Sequence, residues 1–208
     1  MASDDWYRNT EWNDRVQEAF FAKLSRARSQ RDQYLVIQAN TLASIAPEVT
    51  LELVEFYFAT RFDDFEDVRA HLASANAYGA MGKTDKEIEA YKKVLARERE
   101  FPGHQTEACF ELPYLIALNR VSSEYEFAIC VLMEGYDRAV FPIDHFKWHT
   151  AKALISGDEG RKEDAAVHAG KALEMAGVKK SGFRYHQRLG LVTEKYHGTL
   201  ERLLDLTR

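Results

Sequence analysis

The sequence has few residues that cross-link or interrupt a chain. Its 208 residues include only two cysteines, Cys109 and Cys130, and four prolines. Two thiols do not make a disulfide framework, and both fall in segments with helical spacing, so we expect buried, inert thiols. No apolar run approaches the roughly 20 residues that cross a bilayer. The acidic start also lacks the basic and then apolar pattern of a secretory leader. These absences predict a cytoplasmic protein with no membrane partner.

The chain also lacks a basic surplus. Its 28 lysines and arginines against 33 carboxylates give a net charge of −5 and an isoelectric point near 5.8, which disfavours nucleic acid as the main partner. Residues 48–67 contain only Arg61 as a cation, whereas the segment after Lys179 is mainly basic. The acidic residues of that first stretch are Glu48, Glu52, Glu55, Asp63, Asp64, Glu66 and Asp67. Such polarity can orient a protein partner or a second copy of the chain as a homodimer, and two solvated faces account for it equally well.

Apolar residues recur three and four apart along nearly the whole chain, with almost no strict alternation, which is the pattern of amphipathic helices. The pattern predicts an all-α protein of about ten helices. They comprise a capping helix at about 10–30, helix pairs at about 33–60, 64–100, 106–137 and 144–176, and a C-terminal capping helix at about 191–207. No low-complexity linker interrupts the pattern, so we predict one domain over residues 1–208.

Local signals predict several helix ends. Thr10 is a candidate N-cap, because its side chain can accept from a free backbone amide. The segments 84–87 and 123–126 match the capping box, in which a serine or threonine and a glutamate satisfy free amides reciprocally. Gly82 is expected to close a helix in the left-handed conformation.

Read in pairs, the helices resemble tetratricopeptide repeats. The segment 68–101 carries small, aromatic and aliphatic residues in the family's positions, namely Ala75, Tyr78, Gly82, Ile88, Tyr91, Val94 and Leu95, with Pro102 just beyond. The segment 146–179 supplies Ala153, Gly160, Ala165, Ala169 and Ala172. A weaker copy runs from Cys109 to about Phe141, and residues 33–60 form a divergent first pair. The resemblance implies a right-handed α-solenoid of antiparallel helix pairs.

In that family the first helix of each pair lines a concave groove that binds a protein or peptide. The resemblance therefore implies a non-catalytic binding module here, with contact residues on successive first helices. The expected partner-binding residues are Arg69, Asn76, Tyr114, Arg120, Lys147 and Thr150. Arginine pairs with carboxylates and tyrosine is a frequent interface anchor. The sequence leaves two arrangements open: an accessible groove, or one filled by the C-terminal helix.

Signals for catalysis or metal binding are weak. His145 and His149 are four apart on one helix, a spacing that can serve a metal, but Phe146 stands where a metal protease has its glutamate. Packing is therefore the favoured interpretation. No nucleophile elbow, phosphate loop or dinucleotide fingerprint occurs. We expect no catalytic residue, no metal and no cofactor. The segment 183–188 is unusually aromatic and basic for a connector.

Three functional hypotheses follow from the sequence. The leading one is an adaptor whose groove holds a peptide or helix of a partner protein. A sharper version is a bacterial immunity protein that occludes a toxin, since acidic residues can cover a basic active site. The third is an enzyme that uses some of the scattered histidines, for which a metal assay is the cheapest test.

Overall fold

The computed structural model describes residues 5–208. Over this range the chain forms ten α-helices and no β-strand, which confirms the all-α prediction. The helices are α1 (Asp14–Leu24), α2 (Arg31–Leu42), α3 (Pro47–Thr60), α4 (Asp67–Ala80), α5 (Thr84–Glu100), α6 (Ala108–Leu118), α7 (Tyr125–Gly135), α8 (Pro142–Asp158), α9 (Lys162–Ala176) and α10 (His197–Leu206). In this described range, none of the helices combines the length and apolar character that crossing a bilayer requires.

The helices group into two compact units, Met1–Thr106 and Glu107–Arg208. The first unit packs α2 against α3 and α4, and α4 against α5. Its core includes the fully buried side chains of Phe20, Leu35 and Tyr57. Burying one such side chain contributes about 1.5–3 kcal/mol, so the apolar stripes of α2, α3 and α4 hold this unit together.

The second unit packs α8 against α9, and α6 against both α7 and α8. The C-terminal helix α10 lies on α8 and α9 and places Leu203 in the core with Phe146. Ala169 and Ala172 are fully buried. The small-residue stripe of α9 therefore lies in a close helix contact, as its spacing predicts.

One turn recurs after α4, α6 and α8. Gly82, Arg120 and Gly160 have φ angles of 66°, 52° and 78°, all in the left-handed region. In each turn the following amide donates to a carbonyl five residues earlier: Lys83 to Tyr78 at 2.9 Å, Val121 to Ile116 at 3.1 Å and Arg161 to Ser156 at 2.9 Å. This is the Schellman motif that closes helix C-termini. Positions 82, 120 and 160 place it at intervals of 38 and 40 residues, and the expectation for Gly82 is confirmed.

The predicted N-caps are wrong. Asn13 caps α1 instead of Thr10, and its side chain accepts from the Val16 amide at 3.1 Å. Neither capping box forms, because Lys83 and Glu124 occupy the N-cap positions of α5 and α7. For α5, the turn at Gly82 determines where the helix can begin, so Lys83 and not Thr84 takes the N-cap position.

The two cysteines differ in exposure, and neither is in a disulfide. Cys109 on α6 is buried, as expected, whereas Cys130 on α7 is exposed, so the prediction for Cys130 is wrong. The buried positions of α7 include Ala128, Val131 and Gly135. Cys130 lies off that stripe.

Candidate protein-binding surface

Two of the predicted binding residues lie in the first unit, on the exposed side of α4. Arg69 and Asn76 are seven residues apart, which places them on one face of the helix. The Arg69 guanidinium lies 3.3 Å from the buried carboxylate of Glu66. The Asn76 side-chain oxygen accepts from the Tyr91 hydroxyl at 3.4 Å. Both residues are exposed, so this face can be reached by a partner.

Three predicted residues of the second unit are not accessible, which corrects the expectation that they bind a partner. Tyr114 is 8% exposed, and Lys147 and Thr150 are also buried. The Tyr114 hydroxyl is hydrogen-bonded to the Thr199 hydroxyl of α10 at 2.9 Å, and burial raises the pKa of Tyr114 to about 12. Helix α10 therefore covers this face, the second of the two arrangements that the sequence left open.

Lys147 is held inside the second unit by a carboxylate and a ring. Its ammonium donates to Glu111 and lies 6.0 Å from the centre of the Tyr196 ring. Burial lowers the pKa of Lys147, but the contacts with Glu111 and Tyr196 together raise it, so the net direction is upward. The residue stabilises the packing of α6 on α8, because a buried ammonium requires such a partner.

Arg120 is exposed at the turn after α6, as its predicted role requires. Its guanidinium lies 3.6 Å from Asp158. The other carboxylate oxygen of Asp158 accepts from the Tyr125 hydroxyl at 2.6 Å. An arginine with a positive φ is uncommon, and here the recurrent turn accounts for it.

His149 of α8 pairs with His168 of α9. The Nδ1 atoms of His149 and His168 are 2.9 Å apart, and the ring centres are 5.1 Å apart. For a given distance between the nitrogens, the ring centres are farthest apart when both nitrogens lie on the line between the centres. The observed centre distance is close to that maximum, so the two nitrogens point at each other. That is the geometry of an N–H···N hydrogen bond, since two metal ligands aim at a shared third point. Within residues 5–208, no group of three His, Cys, Asp or Glu side chains could hold a metal.

Charged neighbours surround the histidine pair on both helices. They are His145 and Lys152 on α8, Asp164 and Lys171 on α9, and Arg161 before α9. Burial lowers the pKa of His149 to about 4, with His168 as the next cause. Burial also lowers the pKa of His168, and Lys152 adds to the effect. The pair is therefore neutral near pH 7 and serves packing.

An open groove of about 590 Å³ lies in the first unit between α3 and α5. Its floor includes His71 and Tyr78 of α4, on the side of that helix away from Asn76. The His71 ring lies 4.8 Å from the ring of Phe58, and burial lowers the pKa of His71 to about 4. The wall on α5 mixes two lysines with Glu89, so the groove has no preference for one sign of charge.

The connection between α3 and α4 presents phenylalanines to solvent. Phe62 is 76% exposed and Phe65 57%, and Phe56 near the end of α3 is 37% exposed. Backbone contacts fix this connection: the Phe62 amide donates to Asp32 at 2.7 Å, and the Phe65 amide donates to Asp63 at 3.0 Å. The exposed rings are therefore held by an ordered backbone.

Arg31 and His104 contact these rings. The Arg31 guanidinium lies 5.4 Å from the ring centre of Phe56 and 6.0 Å from that of Phe62. The His104 ring packs edge-on against Phe65, with 4.4 Å between ring centres. Cation–π and edge contacts of this kind limit ring motion, so the outward faces of the rings are presented in a defined arrangement.

Exposed carboxylates lie on α3 and in the connection that carries the phenylalanines. Glu48, Glu52 and Glu55 follow at i, i+4 and i+7 on one exposed face of α3, and Glu55 also borders the groove. Asp63 and Asp64 are exposed in the connection itself. We call this set the phenylalanine surface; its members are Phe56, Phe62, Phe65, Glu48, Glu52, Glu55, Asp63 and Asp64.

The other two acidic residues of the stretch serve the interior. Asp67 is buried, accepts from the Tyr57 hydroxyl at 2.9 Å, and pairs with Arg61 and with Arg97, whose Nε is 3.4 Å away. Burial raises the pKa of Tyr57, and its hydrogen bond to Asp67 adds to this. Glu66 is buried beside Arg69. The acidity of residues 48–67 thus divides into a buried network and the exposed phenylalanine surface.

The chain matches no known protein family, no curated protein and no solved structure. The candidate surface therefore rests on the geometry of the chain itself. Sequence reasoning noted its charge but not its rings. The available signal was the pair Phe62 and Phe65, with carboxylates between and around them in a connection between two helices.

Proposed function

We propose that this chain is a non-catalytic protein-binding module, with helix pairs of the tetratricopeptide kind, that docks a partner on its phenylalanine surface. The observation that carries the proposal is the exposure of Phe62 and Phe65 on an ordered connection. Large exposed apolar side chains that cluster within a polar rim mark interaction sites. The recurrence of one helix-closing turn at 82, 120 and 160 supports the repeat resemblance.

The partner has a basic surface with an apolar centre. Glu48, Glu52, Glu55 and Asp63 form no ion pair within residues 5–208, so their charge is available to a partner. Complementary charge at the rim accelerates encounter and selects the partner, while the buried aromatic centre supplies most of the affinity. Binding should therefore weaken with salt but not vanish.

The immunity-protein hypothesis is the sharper form of the same proposal. An acidic rim around a protruding aromatic centre suits the mouth of a basic active site, where it would exclude the substrate. The enzyme hypothesis has less support, because His149 and His168 are directed at each other and their neighbours are mostly cationic.

The test is capture of partners from native lysate by immobilised protein, compared across two double variants. Phe62→Ser with Phe65→Ser alters the phenylalanine surface, and Arg69→Ala with Asn76→Ala alters the exposed face of α4. All four side chains are exposed, so circular dichroism should show both variants folded. We expect the first variant to bind a captured basic protein at least about tenfold more weakly and the second to bind it unchanged. The reverse result would place the site on α4 and overturn the proposal.

A further inference from the structure

The segment between α9 and α10 forms a loop that is closed at its neck. Ser181 is buried, its amide donates to the Gln187 carbonyl at 2.8 Å, and its hydroxyl donates to the His186 carbonyl at 2.8 Å. A compact loop whose ends approach each other in this way is frequently functional.

The base of the loop is fixed to α8 and the residues before it. The Phe183 ring stacks on Phe141 with 5.3 Å between centres. The Ile143 amide donates to the Gly190 carbonyl at 2.9 Å. Gly190 has a φ of 71°, and a Cβ there would lie 2.3 Å from the Phe141 ring, so only glycine fits. These contacts hold the loop in one place on the second unit.

The tip of the loop is basic, aromatic and exposed. Tyr185 is 82% exposed, and Leu189 is half exposed. The Arg184 guanidinium lies 5.4 Å from the centre of the Tyr185 ring. The exposed cations are Lys179, Lys180, Arg184 and Arg188. None of these four forms an ion pair with a carboxylate in the part of the chain that the structure describes. We call residues 179–189 the basic loop.

We propose that the basic loop of one copy of the chain docks on the phenylalanine surface of a second copy. This proposal rests on the proposed function, because it assigns an occupant to the same surface. The two surfaces are complementary in charge and in apolar character. The loop has four cations, and the phenylalanine surface has four carboxylates without an ion pair within residues 5–208, since Asp64 is paired with Arg97. Tyr185 and Leu189 match the exposed phenylalanine rings. Arginine forms bidentate pairs with carboxylates, and aromatic rings are favoured interface anchors.

The contact joins two different surfaces of the chain. If both copies exchange loops, it closes into an isologous dimer, and if they do not, the contact is heterologous and extends to further copies. Its charge pairs lie at the protein surface and are screened within about 10 Å at 0.1 M salt. Self-association should therefore strengthen at low salt, and a foreign basic partner should compete with it.

The experiment is sedimentation velocity of the full chain over a range of concentrations, at low and at high salt. One variant reverses the loop (Arg184→Glu with Arg188→Glu), and another reverses the surface (Glu52→Lys with Glu55→Lys). We expect the unmodified chain to associate and each variant to weaken association at least about tenfold, since like charges then meet across the contact. Arg26→Glu with Arg28→Glu is the matched control, an equal charge change at exposed positions of the first unit, and should associate as the unmodified chain does.

The decisive arm mixes the two reversed proteins. Their altered surfaces are again complementary, so the mixture should associate although neither protein does so alone. A mixture that stays monomeric, or an unmodified chain that is monomeric at every concentration at low salt, overturns the self-docking proposal. Capture of a basic protein that depends on Phe62 and Phe65 would still support the proposed function, so the two proposals fail separately.

Discussion

The Nδ1 atoms of His149 and His168 face each other at 2.9 Å across the contact of α8 and α9. One ring must donate a proton and the other must accept it, so the pair holds a hydrogen bond only while at least one ring is neutral. Trp148 packs edge-on against both rings and donates its indole N–H to the Leu132 carbonyl at 2.8 Å. Protonation of both rings at low pH should therefore break this hydrogen bond and weaken the packing of α8 on α9.

The first prediction concerns the pH dependence of stability. The pKa of His149 is about 4 in the folded chain, against 6.5 for an unperturbed histidine, so between these values the unfolded chain binds more protons. The contribution of the neutral His149 to the free energy of unfolding is therefore fully present above about pH 6.5, and it is lost as the pH drops toward 4. His71 acts in the same direction in the first unit.

Chemical denaturation of the unmodified chain and of His149→Gln at several pH values checks this. The stability difference between them should be largest near pH 7.5 and shrink as the pH approaches 4. His186→Gln is the control, because it makes the same replacement at an exposed side chain outside the helix contact. A His149→Gln difference that is constant with pH would contradict the prediction.

The second prediction is that Arg120→Gly stabilises the second unit. Arg120 adopts a φ of 52° where Gly82 and Gly160 occupy the equivalent turns. A side chain in this region costs about 1 kcal/mol, and the exposed pair with Asp158 contributes little in return. Denaturation should show a gain of roughly 1 kcal/mol, and Gly160→Arg should show a loss. A destabilised Arg120→Gly variant would mean that the pair with Asp158 matters more than the backbone.

The third prediction compares two fully buried threonines. The Thr150 hydroxyl has no hydrogen-bond partner, whereas the Thr50 hydroxyl donates to the Ala39 carbonyl at 2.9 Å. Thr150→Val removes an unsatisfied polar group and should raise the free energy of unfolding by about 1 kcal/mol. Thr50→Val removes a satisfied one and should lower it by a similar amount. Equal effects in denaturation would indicate that Thr150 has a partner after all.

The fourth prediction compares substitutions at two neighbouring positions of α9, one buried and one exposed. Ala169 is fully buried in the helix contact, so Ala169→Leu should overpack it and cost roughly 1–3 kcal/mol. At Gly170 an added Cβ meets nothing within 4 Å, and Gly170→Ala should stabilise the helix by about 0.5–1 kcal/mol. Melting temperatures should move in opposite directions. An unchanged temperature for Ala169→Leu would show that the contact can open.

The helices could be predicted because their pattern is local. Stripes at three- and four-residue spacing and the glycines at 82 and 160 fix most helix positions without knowledge of the rest of the chain. The N-caps failed because the threonines at 10 and 84 satisfy a local rule that the chain path overrides. The residue type at Arg120 does not predict a turn with a positive φ. Only its spacing from the equivalent turns at Gly82 and Gly160 indicates that conformation.

The candidate site was harder to predict because exposure depends on distant segments. The sequence predicts Tyr114 as a surface anchor, but in the fold Thr199 of α10 lies against it. The apolar stripe of α10 does not indicate which face of the protein that helix covers. The phenylalanine surface is the reverse case. Nothing in the sequence distinguishes Phe62 and Phe65 from phenylalanines of a core, and the fold leaves both exposed.

The unequal exposure of the two cysteines gives the second unit a built-in reporter. Cys130 is open to solvent, whereas Cys109 is enclosed where α6 meets α7, with Gly135 so close that an added Cβ would lie 3.1 Å from its sulfur. A thiol reagent should label the exposed Cys130 first and Cys109 only when α6 and α7 separate. At reagent concentrations where labelling is faster than reclosing, the slow phase gives the opening rate of this helix contact without any introduced probe.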